Sequence, residues 1–262
     1  MKEIATISSH TNGINSILIL HDGRIASCSW DKTIKIHNLV DYKCEITLIG
    51  HETTIYNICQ LPNDNIVSCS LDKIIKIWSI SHNSYKCEHT IENAHEDWIY
   101  KVITLTNDRI ASCSNDKTIK VWSSKEPYTL LSTLTGHKKY VIDIIQLKDK
   151  EKLVSGSRDY SVKVWNLTTY QCEATLNKVD CCFWNDLVQI DDNRIAVGGN
   201  NIVSIVDIVN FKLIKQISDS DLNGYVRSLC VIDNKLLCGC GKGRICRYDI
   251  ESEKKRNFRY YT

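Results

Sequence analysis

Apolar and polar side chains alternate with a period of two along much of the chain. Ile34 and Ile36 flank Lys35, and Ile75 and Ile77 flank Lys76. This is the period of a strand with one buried face, and helical spacing is absent. The alternation also recurs at long range. Arg24–His37, Asn65–Trp78, Arg109–Trp122 and Lys152–Trp165 share one pattern, and their aspartates, Asp31, Asp72, Asp116 and Asp159, lie 41, 44 and 43 residues apart. Two weaker copies follow at Arg194–Val206 and Lys235–Tyr248, which makes six units. Each offers four short strands, such as Asn57 to Leu61, Asn65 to Ser70, Ile74 to Ser79 and Lys86 to Ile91. Turn signals such as Pro62-Asn63-Asp64-Asn65 and Leu71-Asp72-Lys73 separate them.

Four-stranded antiparallel units of about 40 residues, repeated around an axis, describe an all-β β-propeller. At particular residues the pattern resembles the WD-repeat family. Gly50-His51, Gly136-His137, Ala94-His95 and Ser9-His10 supply its Gly-His element. From His to Ser the gap is 17 residues in three units and 18 in the fourth; from Ser to Asp it is four, and from Asp to the Trp slot six. The resemblance implies a buried hydrogen-bonded chain, Trp to Ser to His to Asp, in each blade. Its sets here are His51, Ser68, Asp72 and Trp78; His95, Ser112, Asp116 and Trp122; and His137, Ser155, Asp159 and Trp165. In the first set, His10, Ser27 and Asp31, the Trp slot holds His37. Units five and six lack the set, with Asp180, Val197 and Val206, then Cys238, Lys242 and Tyr248, in its places. They are expected to be the softest.

The domain reading is a single propeller over 1–262, with units about 10–48, 51–91, 95–134, 137–176, 180–217 and 224–260. An N-terminal strand at 2–7 is expected to close the last blade, as is common in the resembled family. Residues 255–260 compete for that place. Six closed blades are favoured, and an incomplete seven-bladed ring is the alternative.

Charge and cysteine content then narrow the function. Lys+Arg 33 against Asp+Glu 31 leaves a net charge of +2, so no electrostatic footprint for nucleic acid appears. Apolar runs such as Ile14 to Leu20 are far shorter than the roughly 18 residues of a membrane helix, and Met1-Lys2-Glu3 opens no signal peptide. A cytoplasmic or nuclear protein without membrane attachment is expected. Thirteen cysteines cannot all pair. Cys28, Cys69 and Cys113 fill one repeated slot, Cys44, Cys87 and Cys172 another, and both read as small reduced side chains. Cys181-Cys182 and Cys238-x-Cys240 complete no tetrahedral site, so no metal and no cofactor are assigned.

A recurring Ser, His and Asp is also the hydrolase constellation, but a catalytic triad occurs once, in a pocket, and not around a ring. The chain is therefore read as non-catalytic. The resemblance implies a protein-binding platform whose contact slots lie three and five residues after the His and one before the Asp. Seven of the 17 slots read in this way are aromatic, against 8% of the chain. Trp, Tyr and Arg dominate interface energetics. The expected partner-binding face is Trp30, Tyr56, Trp98, Tyr100, Tyr140, Arg158, Phe183, Tyr225 and Arg227. Replacing Trp98 and Tyr100 together is expected to abolish partner capture at nearly unchanged stability. A scaffold or adaptor, monomeric within a hetero-complex, is the favoured function. The alternatives are a substrate-recognition subunit of a ubiquitin ligase and, from another class, a propeller enzyme with a central-channel site.

Overall fold

A computed structural model describes residues 6–81, 84–148, 150–181, 186–218, 222, 224–241, 244–250 and 255–256. The chain divides into two compact units, Met1–Thr133 and Leu134–Thr262. Each unit contains three four-stranded sheets, every strand paired antiparallel with the next in sequence. The all-β architecture of four-stranded blades, six in number, is the one the repeat implies. Among the described residues there is no α-helix, and so no helix long and apolar enough to cross a membrane.

In the first unit, sheet one is β1 (Ile14–Ile19), β2 (Ile25–Ser29), β3 (Thr33–His37) and β4 (Cys44–Ile49). Sheet two is β5 (Ile55–Gln60), β6 (Ile66–Ser70), β7 (Ile75–Ser81) and β8 (Ser84–Ile91). Sheet three is β9 (Ile99–Leu105), β10 (Arg109–Ser114), β11 (Ile119–Ser123) and β12 (Leu130–Leu134). Each sheet has a forward face, toward the next in sequence, and a rear face. The forward face of sheet one, built from Leu20, Ala26, Cys28, Ile34 and Ile36, packs on Ile55, Ile58, Ile66 and Trp78 of sheet two. Val67, Cys69, Ile75 and Ile77 of sheet two pack in the same way on Ile99, Val102, Ile110 and Trp122 of sheet three. Each fully buried Ile contributes roughly 1.5–3 kcal/mol relative to exposure. The second strand of sheet two is covered on both faces, so all five residues of β6 are buried. Only small polar or apolar side chains fit there, which accounts for Ser68, Cys69 and Ser70.

In the second unit, sheet four is β13 (Val141–Gln146), β14 (Lys152–Ser157), β15 (Ser161–Asn166) and β16 (Cys172–Asn177). Sheet five is β17 (Leu187–Gln189), β18 (Arg194–Gly198), β19 (Ile202–Asp207) and β20 (Lys212–Ser218), and sheet six is β21 (Val226–Ile232), β22 (Lys235–Cys240), β23 (Arg244–Asp249) and β24 (Lys255–Arg256). Leu147, Val154, Val162 and Val164 pack on Leu187, Ile195, Val197 and Val206. Ala196, Val203 and Ile205 pack on Val226, Leu229, Leu236 and Tyr248. Tyr248 stands in the slot that Trp165 fills in sheet four. Beside the smaller ring is a cavity of ≈ 190 Å³, lined among others by Ile205, Ile217 and Leu236.

The outer strand of sheet six is β24, where Arg256 pairs with Arg247 and Lys255 with Tyr248. Most of the closing strand expected at 2–7 lies outside the described residues, as does the tail from 257 onward.

Two backbone irregularities were invisible in the sequence pattern. The register between first and second strands slips by one residue at Asn15, Tyr56, Tyr100, Ile142 and Arg227, a β-bulge in five of the six sheets. In sheets one, two, four and five a bulge, at Glu45, Glu88, Glu173 and Ile214, interrupts the pairing of third and fourth strands.

Sheets five and six lack the complete polar chain described below, and sheet five has a first strand of three residues. Amides of β19 and β23 are expected to exchange with solvent faster than those of β7 and β11. Equal hydrogen-exchange protection across all sheets would contradict this.

Candidate functional site

The site is built on a buried polar chain that ties the second and third strands of a sheet to the loop before its first strand. In sheet two, Trp78 Nε1 donates to Ser68 Oγ at 2.8 Å, Ser68 Oγ lies 2.7 Å from His51 Nε2, and His51 Nδ1 lies 2.7 Å from Asp72 Oδ2. Sheet three repeats this with Trp122, Ser112, His95 and Asp116 at 3.0, 2.7 and 2.8 Å. Sheet four does so with Trp165, Ser155, His137 and Asp159 at 2.8, 2.8 and 3.1 Å. The indole N–H has only donor capacity and the carboxylate only acceptor capacity. The ends therefore fix the direction: Ser donates to Nε2, and Nδ1–H donates to Asp. In sheet one, His10 reaches Ser27 and Asp31 at 2.9 and 2.8 Å, but His37 turns away to Ser9 Oγ at 2.8 Å. Sheet five keeps a fragment, the backbone N–H of Asn200 donating to Asp180 at 3.2 Å.

The aspartate at the end of each chain shapes the turn that follows. Asp72 accepts from the backbone N–H of Glu52 at 3.1 Å and of Ile74 at 3.1 Å. Asp116 accepts in the same way from Glu96 and Thr118. Between the aspartate and the third strand, Lys32, Lys73, Lys117 and Tyr160 are held at φ of 71, 70, 73 and 61°. For a residue with a Cβ this left-handed conformation costs about 1–2 kcal/mol. The carboxylate's bonds across the turn offset that cost.

The same turn locates the contact slots. The backbone N–H of the residue before the aspartate donates to the carbonyl of the residue three after the histidine. The pairs are Trp30 to Gly13, Leu71 to Thr54, Asn115 to Trp98, Arg158 to Tyr140 and, in the equivalent place of sheet six, Gly241 to Tyr225, all within 2.8–3.1 Å. The third slot, five after the histidine, falls on the bulge, which re-aims its side chain out of the sheet's alternation. Three slots per sheet thus meet at one end of that sheet.

In the first unit Trp30 and Trp98 are each 46% exposed. Trp30 Nε1 donates to Asn15 Oδ1 at 2.6 Å, and Asn15 Nδ2 donates to the carbonyl of Ile55 at 2.9 Å, so the ring is tethered to the next sheet. Tyr56 is half-buried and meets Tyr100 edge to face with centroids 5.3 Å apart. Tyr100 itself is only 9% exposed, and its hydroxyl donates to Asn115 Oδ1 at 3.0 Å. The expectation that Trp98 and Tyr100 act alike is therefore corrected: Tyr100 is a buried support beneath Tyr56 and Asn115. In the second unit Tyr140 and Arg158 are half-buried, and Tyr225 and Arg227 are exposed. Phe183 lies outside the described residues.

Among the described residues, no group of three or more His, Cys, Asp or Glu side chains is placed to hold a metal ion. None of the twelve described cysteines is joined in a disulfide. Burial pushes the Cys28 thiol up to about 12 and the Cys69 thiol well above its ordinary value, which suppresses the thiolate on which cysteine reactivity depends. In sheets two to four the serine hydroxyls and histidine imidazoles are buried and bonded to one another.

The family model for the WD domain, G-beta repeat, matches residues 1–38, 42–79, 85–123 and 128–166. The chain is similar to the WD repeat-containing protein 89 homolog of Dictyostelium discoideum, 30% identical over 125 residues that make up 47% of this chain and 34% of that protein. It is also similar to the zinc finger CCCH domain-containing protein 48 of Arabidopsis thaliana, 30% identical over 126 residues, 46% of this chain and 26% of that one. The match thus spans about a third and a quarter of the length of these curated relatives.

The titration of the polar chains has a definite sign. Burial lowers the pKa of His95 and His137 below the ordinary 6.5, although Asp116 and Asp159 pull upward. Burial also opposes ionisation of Asp31, yet hydrogen bonds from Thr33, His10 and the Thr11 N–H bring it down to about 2; Asp72, Asp116 and Asp159 lie below the ordinary range for similar reasons. Below pH 6.5 the unfolded chain takes up histidine protons that the native one refuses, so stability falls as pH is lowered. The aspartates add a second loss as pH falls through 3.8 toward their lower native values. The melting temperature is expected to drop between pH 7 and 5 and again below pH 4, with the first stage flattened in His95→Gln/His137→Gln. A melting temperature flat from pH 7 to 5 would contradict this.

Proposed function

The chain belongs to the WD40-repeat family, and on that premise we propose that it is a non-catalytic scaffold that captures protein or peptide partners through side chains at the turn ends of its sheets, as a subunit or adaptor of a larger complex. Repeats of this family generally mediate protein–protein contacts and are generally non-catalytic. The reading is carried by Trp30 and Trp98, two large rings nearly half exposed at equivalent ends of sheets one and three, one of them tethered by its indole N–H. Tryptophans that are already ordered lose little entropy on binding and bury much area, which is what interface hot spots require. Tyr56, supported from beneath by Tyr100, belongs to the same contact set. In the second unit Tyr140, Arg158, Tyr225 and Arg227 occupy the corresponding slots. We place this work in the cytoplasm or nucleus, where thirteen cysteines stay reduced.

Affinity purification of the wild type against Trp30→Ala/Trp98→Ala tests the reading, with partners identified by mass spectrometry. Partner recovery is expected to fall at least tenfold while the melting temperature moves by less than about 2 °C, as for exposed positions. Tyr100→Ala, by contrast, is expected to cost about 3 kcal/mol of stability. An unchanged partner set in the double tryptophan variant would overturn the assignment.

A further inference from the structure

The junction between sheets five and six is filled differently from the other three junctions that lie inside a unit. Between sheets two and three, Tyr128 from the turn between β11 and β12 joins the shared core, is 4% exposed and lies on His89 of β8 with ring centroids 4.9 Å apart. Between sheets four and five, Phe211 from the turn between β19 and β20 packs on the shared core. Each of these rings comes from the later sheet and closes the space against the earlier one. Between sheets one and two, Ile46, Trp78 and Ile80 close it. Ile46, His89 and Lys215 stand in one register, opposite Ile36, Ile77 and Ile205. In sheet six the segment that joins β23 to β24 reads Ile250-Glu251-Ser252-Glu253-Lys254 and holds no ring.

The cavity of ≈ 190 Å³ beside Tyr248 lies at this place. Ile190 lines it and is half-buried, whereas Leu20, Leu61 and Leu147, whose backbone N–H groups make the same turn hydrogen bond, are 2, 1 and 2% exposed. Ile214, also in the lining, is exposed. An aliphatic cavity of about 150 Å³ takes up one benzene ring, so there is room here for one aromatic side chain. The rim is charged. Arg194 lines it and pairs with Asp191 at 2.7 Å, and Asp249 lines it and pairs with Lys235. Among the lining residues and these partners, Arg194, Lys215 and Lys235 outnumber Asp191 and Asp249. A carboxylate beside the entering ring is therefore favoured over a cation.

We propose that the cavity between sheets five and six binds an aromatic side chain of another protein, a Phe or Tyr flanked by acidic residues. The partner supplies from outside the ring that Tyr128 and Phe211 supply from within at two other junctions. The site lies inside the second unit and does not rest on Trp30 or Trp98, which belong to the first.

The test uses the full chain and, as probe, the capped peptide Gly-Asp-Phe-Asp-Gly with fluorine on its ring, followed by fluorine NMR. The probe signal is expected to shift saturably. As competitors, Gly-Asp-Ala-Asp-Gly and Gly-Lys-Phe-Lys-Gly are expected to be at least tenfold and fivefold weaker than the unlabelled parent peptide. Ile190→Phe, which fills the cavity from its wall, is expected to weaken binding at least tenfold. Lys215→Glu, which reverses a rim charge and leaves the aliphatic packing in place, is expected to do the same. Val40→Ser, at an exposed aliphatic position of the first unit, is expected to bind as the wild type does. Absence of saturable binding, undiminished binding by Lys215→Glu, or equal competition by either control peptide would overturn the proposal. Binding that tightens tenfold in Phe258→Ala/Tyr260→Ala/Tyr261→Ala would assign the cavity to the chain's own end and overturn it as well.

Discussion

The structure rests on the buried Trp-Ser-His-Asp chain. In a four-stranded sheet covered on both faces, polar side chains are tolerable only when each meets a partner, and here four groups from separate strands and loops satisfy one another in sequence. Removing a middle member strands two buried groups at about 1–3 kcal/mol each. The aliphatic faces supply most of the free energy of stacking, but they accept many registers of similar volume. The polar chain accepts one, because its donors and acceptors must fall at fixed places.

From that constraint the exposed site follows mechanically. The histidine fixes the loop ahead of the first strand, and the aspartate fixes the turn between the second and third. A backbone hydrogen bond then joins loop to turn, as between Asn115 and Trp98. The bulge two residues further on turns Tyr100 under Asn115 and leaves Trp98 in solvent. A buried network and an exposed ring are thus two ends of one arrangement. The exposed end can vary from sheet to sheet, Gly13, Thr54, Trp98 or Tyr140, while the buried end stays nearly the same.

Much of this was legible in the sequence, because the repeat prints the same side chains at the same spacing. Strand number, antiparallel order and the membership of each polar set depend on local pattern and on residue type. What was not legible depends on neighbours across sheets. Trp98 and Tyr100 look alike as aromatic slots, yet one ring is exposed and the other lies under Tyr56. The bulges leave no mark, since an extra residue in one strand does not alter the composition. His37 occupies a Trp slot, but its turn toward Ser9 depends on a loop whose path the pattern does not encode.

If the polar chain acts as one unit, its separated members are energetically coupled, and a double-mutant cycle between them reads that coupling. Trp122 and His95 are joined through Ser112, whose Oγ lies 3.0 and 2.7 Å from them. With His95→Phe, Trp122→Phe and the double variant measured by denaturant unfolding, a coupling energy of about 1 kcal/mol or more is expected. Strict additivity of the two substitutions would contradict it.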